Sequence, residues 1–274
     1  VGDLRLVLVR RGEELRAYSA TCPHRGAHLA FGGRLRKNAI VCPFHGYQVR
    51  LGADPDHRLS VPEYPVTTIG GMVFVRMSPG HDNGWVRYLE ELDRTQFIIN
   101  GFEMCVRAPM EAVIENAFDQ RHFQAVHGVH TDEFVVRTSE NGALIVEGTF
   151  YVPTKSAEGT NSISPAYYRA MVPSPGVAAV ELRGSLPYTV ITGATDMATP
   201  GECVVRISLA YPRSVWRTAP TPVVYEPLLQ HSRRGLEEDQ LVWENLVPPA
   251  SPQWMPEDAP TRVFHRFCAA HSDG

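Results

Sequence analysis

The chain has 274 residues, 43% hydrophobic and 20% charged, with a formal charge of −4. That is the composition of a globular protein, and the length suits one large domain or two modest ones. The acidic balance argues against a nucleic-acid or anionic-membrane partner, and no apolar run approaches the roughly 20 residues that span a bilayer.

The N-terminus shows no signal-peptide pattern and begins at Val1 without Met. A cytoplasmic chain lacking some upstream residues is therefore expected. From Leu4 to Tyr18, short apolar runs broken by Arg11-Gly12-Glu13-Glu14 predict a hairpin. Two loops of matched composition follow, Cys22-Pro-His24-Arg-Gly-Ala and Cys42-Pro-Phe-His45-Gly-Tyr. A Cys-x-His pair and a Cys-x-x-His pair, seventeen residues between them, are the ligand set of a Rieske [2Fe–2S] centre. Two thiolates hold one iron and two imidazoles the other, which raises the potential above that of an all-Cys cluster. Structural zinc is the rival reading, but zinc modules group Cys with Cys and His with His, whereas here each loop supplies one of each. Strands are predicted at Ala39–Val41, Gln48–Arg50, Tyr64–Thr68 and Met72–Met77, with Gly and Pro between them. Residues 1–80 thus form a small all-β domain carrying two metal loops.

After Ser78-Pro79-Gly80 the pattern changes, and residues 81–274 form a second domain. Helices are predicted at 85–93 and 111–127, and longer strands at 134–152, 160–172, 177–184, 188–195 and 202–211. A Pro-dense stretch (Pro212, Pro220, Pro222, Pro227) leads to a helix at 226–245, and the tail ends in a helix around 260–270. The remaining cysteines, Cys105, Cys203 and Cys268, are scattered and odd in number, as expected of reduced thiols.

The run Glu115-Asn116-Ala-Phe118-Asp119-Gln-Arg-His122-Phe123-Gln-Ala-Val126-His127-Gly128 is the main feature of this half. His122 and His127 would lie about 140° apart on a continuous helix, so they converge only if the helix opens near the second. Gly128 suits that opening. Two imidazoles and one carboxylate make the facial triad of non-haem Fe(II). The acid should come from Glu237-Glu238-Asp239 in the later helix. Asp239 shares a face with Val242 and Trp243 and is favoured, with Glu238 as the fallback. His130 is a substitute ligand, expected instead in the following loop. Phe118, Phe123 and Val126 are candidate pocket walls, while Tyr167, Tyr168 and Arg169 could offer polar recognition.

With these motifs the chain resembles the α-subunits of Rieske non-haem iron oxygenases over nearly its whole length, most closely the branch of the ketosteroid 9α-hydroxylase and vanillate demethylase components. Quinol-oxidising Rieske proteins carry an extra Cys in each loop, where this chain has Ala27 and Phe44. The resemblance implies an α+β fold in which an all-β Rieske domain precedes a helix-grip antiparallel sheet with helices. It implies a homotrimer, with Asp119 bridging an iron-site His of one subunit to His24 or His45 of the next, and Asn116 near the iron. It also implies electrons from NAD(P)H through a separate reductase, and a ferredoxin in some systems; no Gly-x-Gly-x-x-Gly fingerprint binds a nicotinamide here. The expected activity is hydroxylation or oxidative demethylation of a small organic substrate with O2, monooxygenation before dioxygenation. The competing reading is an electron carrier or ligand-binding protein, which requires a degenerate second iron site.

Overall fold

The computed structural model describes residues 4–77, 83–155, 161–247 and 251–272. Its internal contacts divide the chain into two units, Val1–His81 and Asp82–Gly274. The expected boundary at residue 80, and the expected strand start at 160, lie outside the described residues.

The N-terminal unit is all β. Strands β1 (Leu6–Arg11) and β2 (Glu14–Ser19) form the predicted hairpin, turning at Gly12 with φ 60°, a conformation that costs glycine little. Strands β3 (Arg34–Arg36), β4 (Ala39–Val41), β5 (Gln48–Leu51) and β6 (Ser60–Val61) make a second sheet. The single strand expected at 64–68 is instead two. β7 (Glu63–Tyr64) pairs with β2, while β8 (Val66–Ile69) pairs with β9 (Met72–Val75). Pro65 separates them, since proline offers no N–H to a ladder. Val7, Tyr18, Leu29, Ile40 and Val49 form the core together with both Cys22 and Cys42.

The C-terminal unit is built on one antiparallel sheet of eight strands. Helix α1 (Trp85–Thr95) buries Trp85, Leu89 and Leu92 along one face, the i, i+4, i+7 stripe of an amphipathic helix. It leads to β10 (Gln96–Val106), which the sequence reading did not assign. The Asn100-Gly101 pair at its centre forms a bulge rather than a turn. After β10 come helices α2 (Met110–Glu115) and α3 (Gln120–Ala125), then β11 (His130–Thr131), β12 (Val135–Thr138), β13 (Leu144–Lys155), β14 (Asn161–Ser174), β15 (Val177–Arg183), β16 (Tyr188–Asp196) and β17 (Cys203–Pro212). Sheet order is β10-β17-β16-β15-β14-β13-β11, with β12 also on β13. The strand expected across 134–152 is therefore a hairpin, turning at Asn141-Gly142, where Gly142 takes φ 85°.

Helix α4 (Pro222–Trp243) starts four residues earlier than predicted, behind Thr221 with Pro222 in its first turn, where a missing N–H costs nothing. It lies against β10 and β17, and Gly101 makes that approach possible. A Cβ there would stand 2.6 Å from Leu229 Cδ2 and 2.7 Å from the Ile207 carbonyl oxygen. A 3-10 turn at Pro256–Asp258 precedes α5 (Ala259–Ser272). One core joins these helices to the sheet through Phe118, Val146, Tyr168, Ile207, Trp243 and Phe264. This is the expected α+β architecture.

Candidate metal centres

In the N-terminal unit, the two Cys loops have the same backbone design. The N–H of Cys22 donates to the Ala27 carbonyl at 2.8 Å and the N–H of Gly26 donates back to the Cys22 carbonyl at 2.8 Å. The N–H of Cys42 donates to the Tyr47 carbonyl at 2.8 Å and that of Gly46 returns to Cys42 at 3.0 Å. Gly26 and Gly46 take φ 76° and 72°, which is why each loop needs glycine there. Both thiols are buried while His24 and His45 are exposed, their rings 4.8 Å apart between centroids. Burial pushes the Cys22 thiol up. At Cys42 the burial penalty is overcome by the N–H groups of Phe44 and His45 and by the Cys22 thiol, leaving it below its ordinary value. Two thiols in a dry floor below two solvent-facing imidazoles fit a cluster with an inner thiolate-held iron and an outer imidazole-held iron.

In the C-terminal unit, the continuous helix expected at 111–127 is broken by a turn at 116–118. Asp119 restarts it as the cap of α3, its Oδ1 accepting from the backbone N–H groups of Arg121 (3.0 Å) and His122 (3.2 Å). This satisfies donors that a helix start leaves unpaired. The helix ends again at Ala125, so His127 stands outside it, followed by Gly128 at φ 66°. The chain thus opens between the two histidines, as their spacing demanded.

His122, His127 and Asp239 each offer a ligand atom, and these atoms lie within 4.8 Å of one another. Both imidazoles are pinned from behind. His122 Nδ1 donates to the Asp119 carbonyl oxygen at 2.5 Å, because a carbonyl can only accept. His127 Nδ1 donates to Glu238 Oε2 at 2.9 Å. Nε2 of each ring is therefore the nitrogen left to face the group, and that of His127 lies 3.1 Å from Asp239 Oδ1. Burial holds His122 below its ordinary value. His127 is held above it by Asp239, against burial, with Glu238 adding to the effect. A proton on Nε2 of His127 occupies the direction an ion would take on displacing it. Three inward donors with oriented tautomers fit a divalent metal of the two-His, one-carboxylate kind.

The two acids left open by sequence separate here by geometry. Asp239, buried on the same face of α4 as Trp243, turns toward both histidines. Glu238 meets the opposite nitrogen of His127 and an Arg234 side chain. His130 is not in the expected loop. It lies exposed on β11, pairs with Gln124 Oε1 at 3.0 Å and stays outside the three-residue group. Asn116 is half-buried in the turn after α2. Phe123 sits beside the site, its ring 4.0 Å from that of His122 and 4.6 Å from that of Phe150, whereas Phe118 points away and stacks on Phe264. Tyr168 is buried, its hydroxyl spent on the Ala117 carbonyl at 2.9 Å. Tyr167 and Arg169 lie on the opposite sheet face, in an ion ladder with Glu147 and Glu181. None of these three therefore adds polar recognition next to the histidines. Sequence reasoning gave no role to Glu115 or to His265, which meet at 2.7 Å; the only signal was the place of Glu115 at the head of the motif.

Residues 1–63 match the Rieske [2Fe-2S] domain family. The N-terminal unit is a Rieske domain. The chain is 34% identical over 139 residues to cholesterol 7-desaturase nvd of Xenopus laevis, a stretch that is 42% of this chain and 31% of that protein. It is 24% identical over 172 residues to the carnitine monooxygenase oxygenase subunit of Acinetobacter pittii, covering 53% of this chain and 46% of the relative. The chain thus spans less than half the length of these curated relatives. The structure of apo dicamba monooxygenase superposes with a TM-score of 0.66 at 16% identity, over 99% of this chain and 90% of that one. The chain shares the fold of that monooxygenase, and the Rieske part of the resemblance read from the motifs holds. No helix among the described residues is long and apolar enough to cross a membrane.

Proposed function

We propose that this chain is the terminal oxygenase component of a Rieske non-haem iron system, acting as a monooxygenase on a small organic substrate. The observation that carries the reading is the convergence of His122, His127 and Asp239, each imidazole oriented by its own hydrogen bond, in a chain whose other unit is a Rieske domain. Cys22, Cys42, His24 and His45 hold the [2Fe–2S] cluster, and His122, His127 and Asp239 hold one Fe(II). When bound, these groups supply one-electron transfer and dioxygen activation. The protein's contribution is positional. Glu238 and the Asp119 carbonyl fix which nitrogens point inward. Phe123, Phe134, Phe150 and Tyr168, packed edge and face within 4.6 to 6.1 Å, keep the neighbouring sheet face dry, which strengthens electrostatic interactions there.

Electrons arrive from NAD(P)H through a separate reductase, with or without a ferredoxin. We place the chain in the cytoplasm, in keeping with its five free cysteines. A homotrimer is supported by the charge of its parts. Residues 1–81 hold 11 basic and 6 acidic residues, a formal +5, while residues 82–274 hold 15 and 24, a formal −9. Opposite charges on two units of one chain favour head-to-tail association, which forms a ring such as a trimer where the rotation between copies closes. Asp119 then bridges His122 to a Rieske histidine of the adjacent copy. Its cap uses Oδ1, an atom that asparagine retains, so Asp119→Asn should keep both metals and slow turnover.

The test is His122→Ala in the full chain reconstituted with reductase. Substrate oxidation and the mononuclear iron should be lost while the Rieske visible spectrum persists. Turnover at the wild-type rate would overturn the assignment, as would loss of both metals together.

A further inference from the structure

The C-terminal helix α5 makes a polar contact with the segment that carries His122. His265 Nε2 donates to Glu115 Oε2 at 2.7 Å, and the indole of Trp254 packs edge-on against the His265 ring at 5.2 Å. The backbone carbonyl of Glu115 accepts from the N–H of Phe118 (2.8 Å) and of Asp119 (3.2 Å), closing the turn that breaks the helix. The next carbonyl in this path, that of Asp119, takes the Nδ1 proton of His122. Three hydrogen bonds thus run from α5 to the imidazole. Beside them, Phe264 of α5 is fully buried and stacks on Phe118 of the same turn at 4.7 Å.

We infer that His265 is a positioning residue for the mononuclear metal site: through Glu115 it holds the 115–119 turn, and so the orientation of His122. The inference rests on the metal assignment proposed above. Residues 116–119 make no regular helix; from outside the segment, the Tyr168 hydroxyl donates to the Ala117 carbonyl. The apolar stack on Phe264 fixes the depth of the turn, but a stack allows sliding. A directed hydrogen bond to Glu115 removes that freedom. Glu115 is half-buried, and burial raises its carboxyl. Losing its donor would leave a partly desolvated carboxylate to find another partner by moving.

The experiment uses the full chain with its Rieske cluster intact and its mononuclear metal stripped, titrated calorimetrically with Co(II). His265→Leu removes the donor from a half-exposed position and should weaken Co(II) binding about tenfold, the lower end of the effect of partners behind a metal ligand. His265→Gln, which keeps an N–H donor, should restore affinity to within about threefold. The Rieske spectrum and thermal midpoint should stay near wild type in both. Wild-type Co(II) affinity in His265→Leu would overturn the inference, as would equal loss in the Gln and Leu variants. Absence of Co(II) binding by the wild-type chain would instead overturn the metal assignment itself.

Discussion

The two candidate metal centres are assembled in opposite ways. In the Rieske unit all four candidate ligands come from two short loops, each closed by its own pair of backbone hydrogen bonds and a glycine at positive φ. In the C-terminal unit the third donor, Asp239, comes from a helix more than a hundred residues after His127. The first design needs only local chain geometry; the second depends on where a long helix packs. Orientation at the second centre accordingly relies on outside help, from Glu238, the Asp119 carbonyl and the turn behind them. The units also differ in charge, +5 against −9. A modest total of −4 hides that polarity.

The largest expected effects would separate the two centres. Cys42→Ser should abolish the Rieske visible spectrum while Co(II) still binds at His122, His127 and Asp239; His122→Ala should do the reverse. Either substitution removing both metals would mean the centres are not independent. A packing change should touch the second design alone. Gly101→Val puts a side chain where Leu229 Cδ2 and the Ile207 carbonyl already stand, an overpacking cost of about 1–3 kcal/mol. The lever arm matters more than the energy, because α4 carries Asp239. Weaker Co(II) binding with an unchanged Rieske spectrum would confirm that the helix sets the site. Unchanged metal affinity despite a lowered thermal midpoint would show that Asp239 finds its place without that packing.

Glu238→Gln tests orientation more finely. A Gln amide still reaches His127 Nδ1 but accepts without charge, so metal affinity should fall by about tenfold. No change, measured by the same titration, would reduce Glu238 to a surface partner of Arg234.

Legibility follows the same division. Loops with local closure could be read from residue types alone, and so could β1, β2, β4 and β15 to β17, where apolar runs end at Gly or Pro. Two Asn-Gly pairs have different outcomes. Asn141-Gly142 is a hairpin turn that the long apolar run around it concealed, while Asn100-Gly101 is a bulge within β10, a strand left unassigned by the sequence. The difference is tertiary: α4 packs over Gly101, and nothing in the local sequence announces it. Likewise the 111–127 run has helical periodicity throughout. Only Asp119, a strong cap residue, marked the break, because a cap bond competes with continuation of the helix. That Asp239 would face the histidines was legible from its shared face with Trp243. That Glu238 would meet the other nitrogen of His127 was not, since it depends on the tilt of α4.

The charge contrast makes a smaller, reversible prediction. If opposite units of neighbouring copies attract, assembly should weaken by several-fold as salt rises from about 0.05 to 0.5 M, because the Debye length shrinks from over 10 Å to a few Å. Light scattering at matched concentration reads the change. A mass independent of salt would assign any assembly to apolar contacts instead.

The smallest expected effect lies at the C-terminus of α4, just past Trp243. Glu244 accepts from Gln240 at 2.6 Å and from the Arg107 guanidinium at 2.8 Å and backbone at 3.2 Å. These bonds, the one from Gln240 first, hold its carboxyl down at about 2. A carboxyl lower in the folded chain than in the unfolded one adds stability above its ordinary range and loses it as pH falls toward 2. Wild type should therefore shed stability between roughly pH 5 and pH 2 from this source, whereas Glu244→Gln should show a shallower acid limb and a slightly lower midpoint at neutral pH. Because Arg107 is solvent-exposed, screening keeps the effect small. Parallel acid limbs for the two proteins would show that α4 is anchored at that end by Trp243 alone.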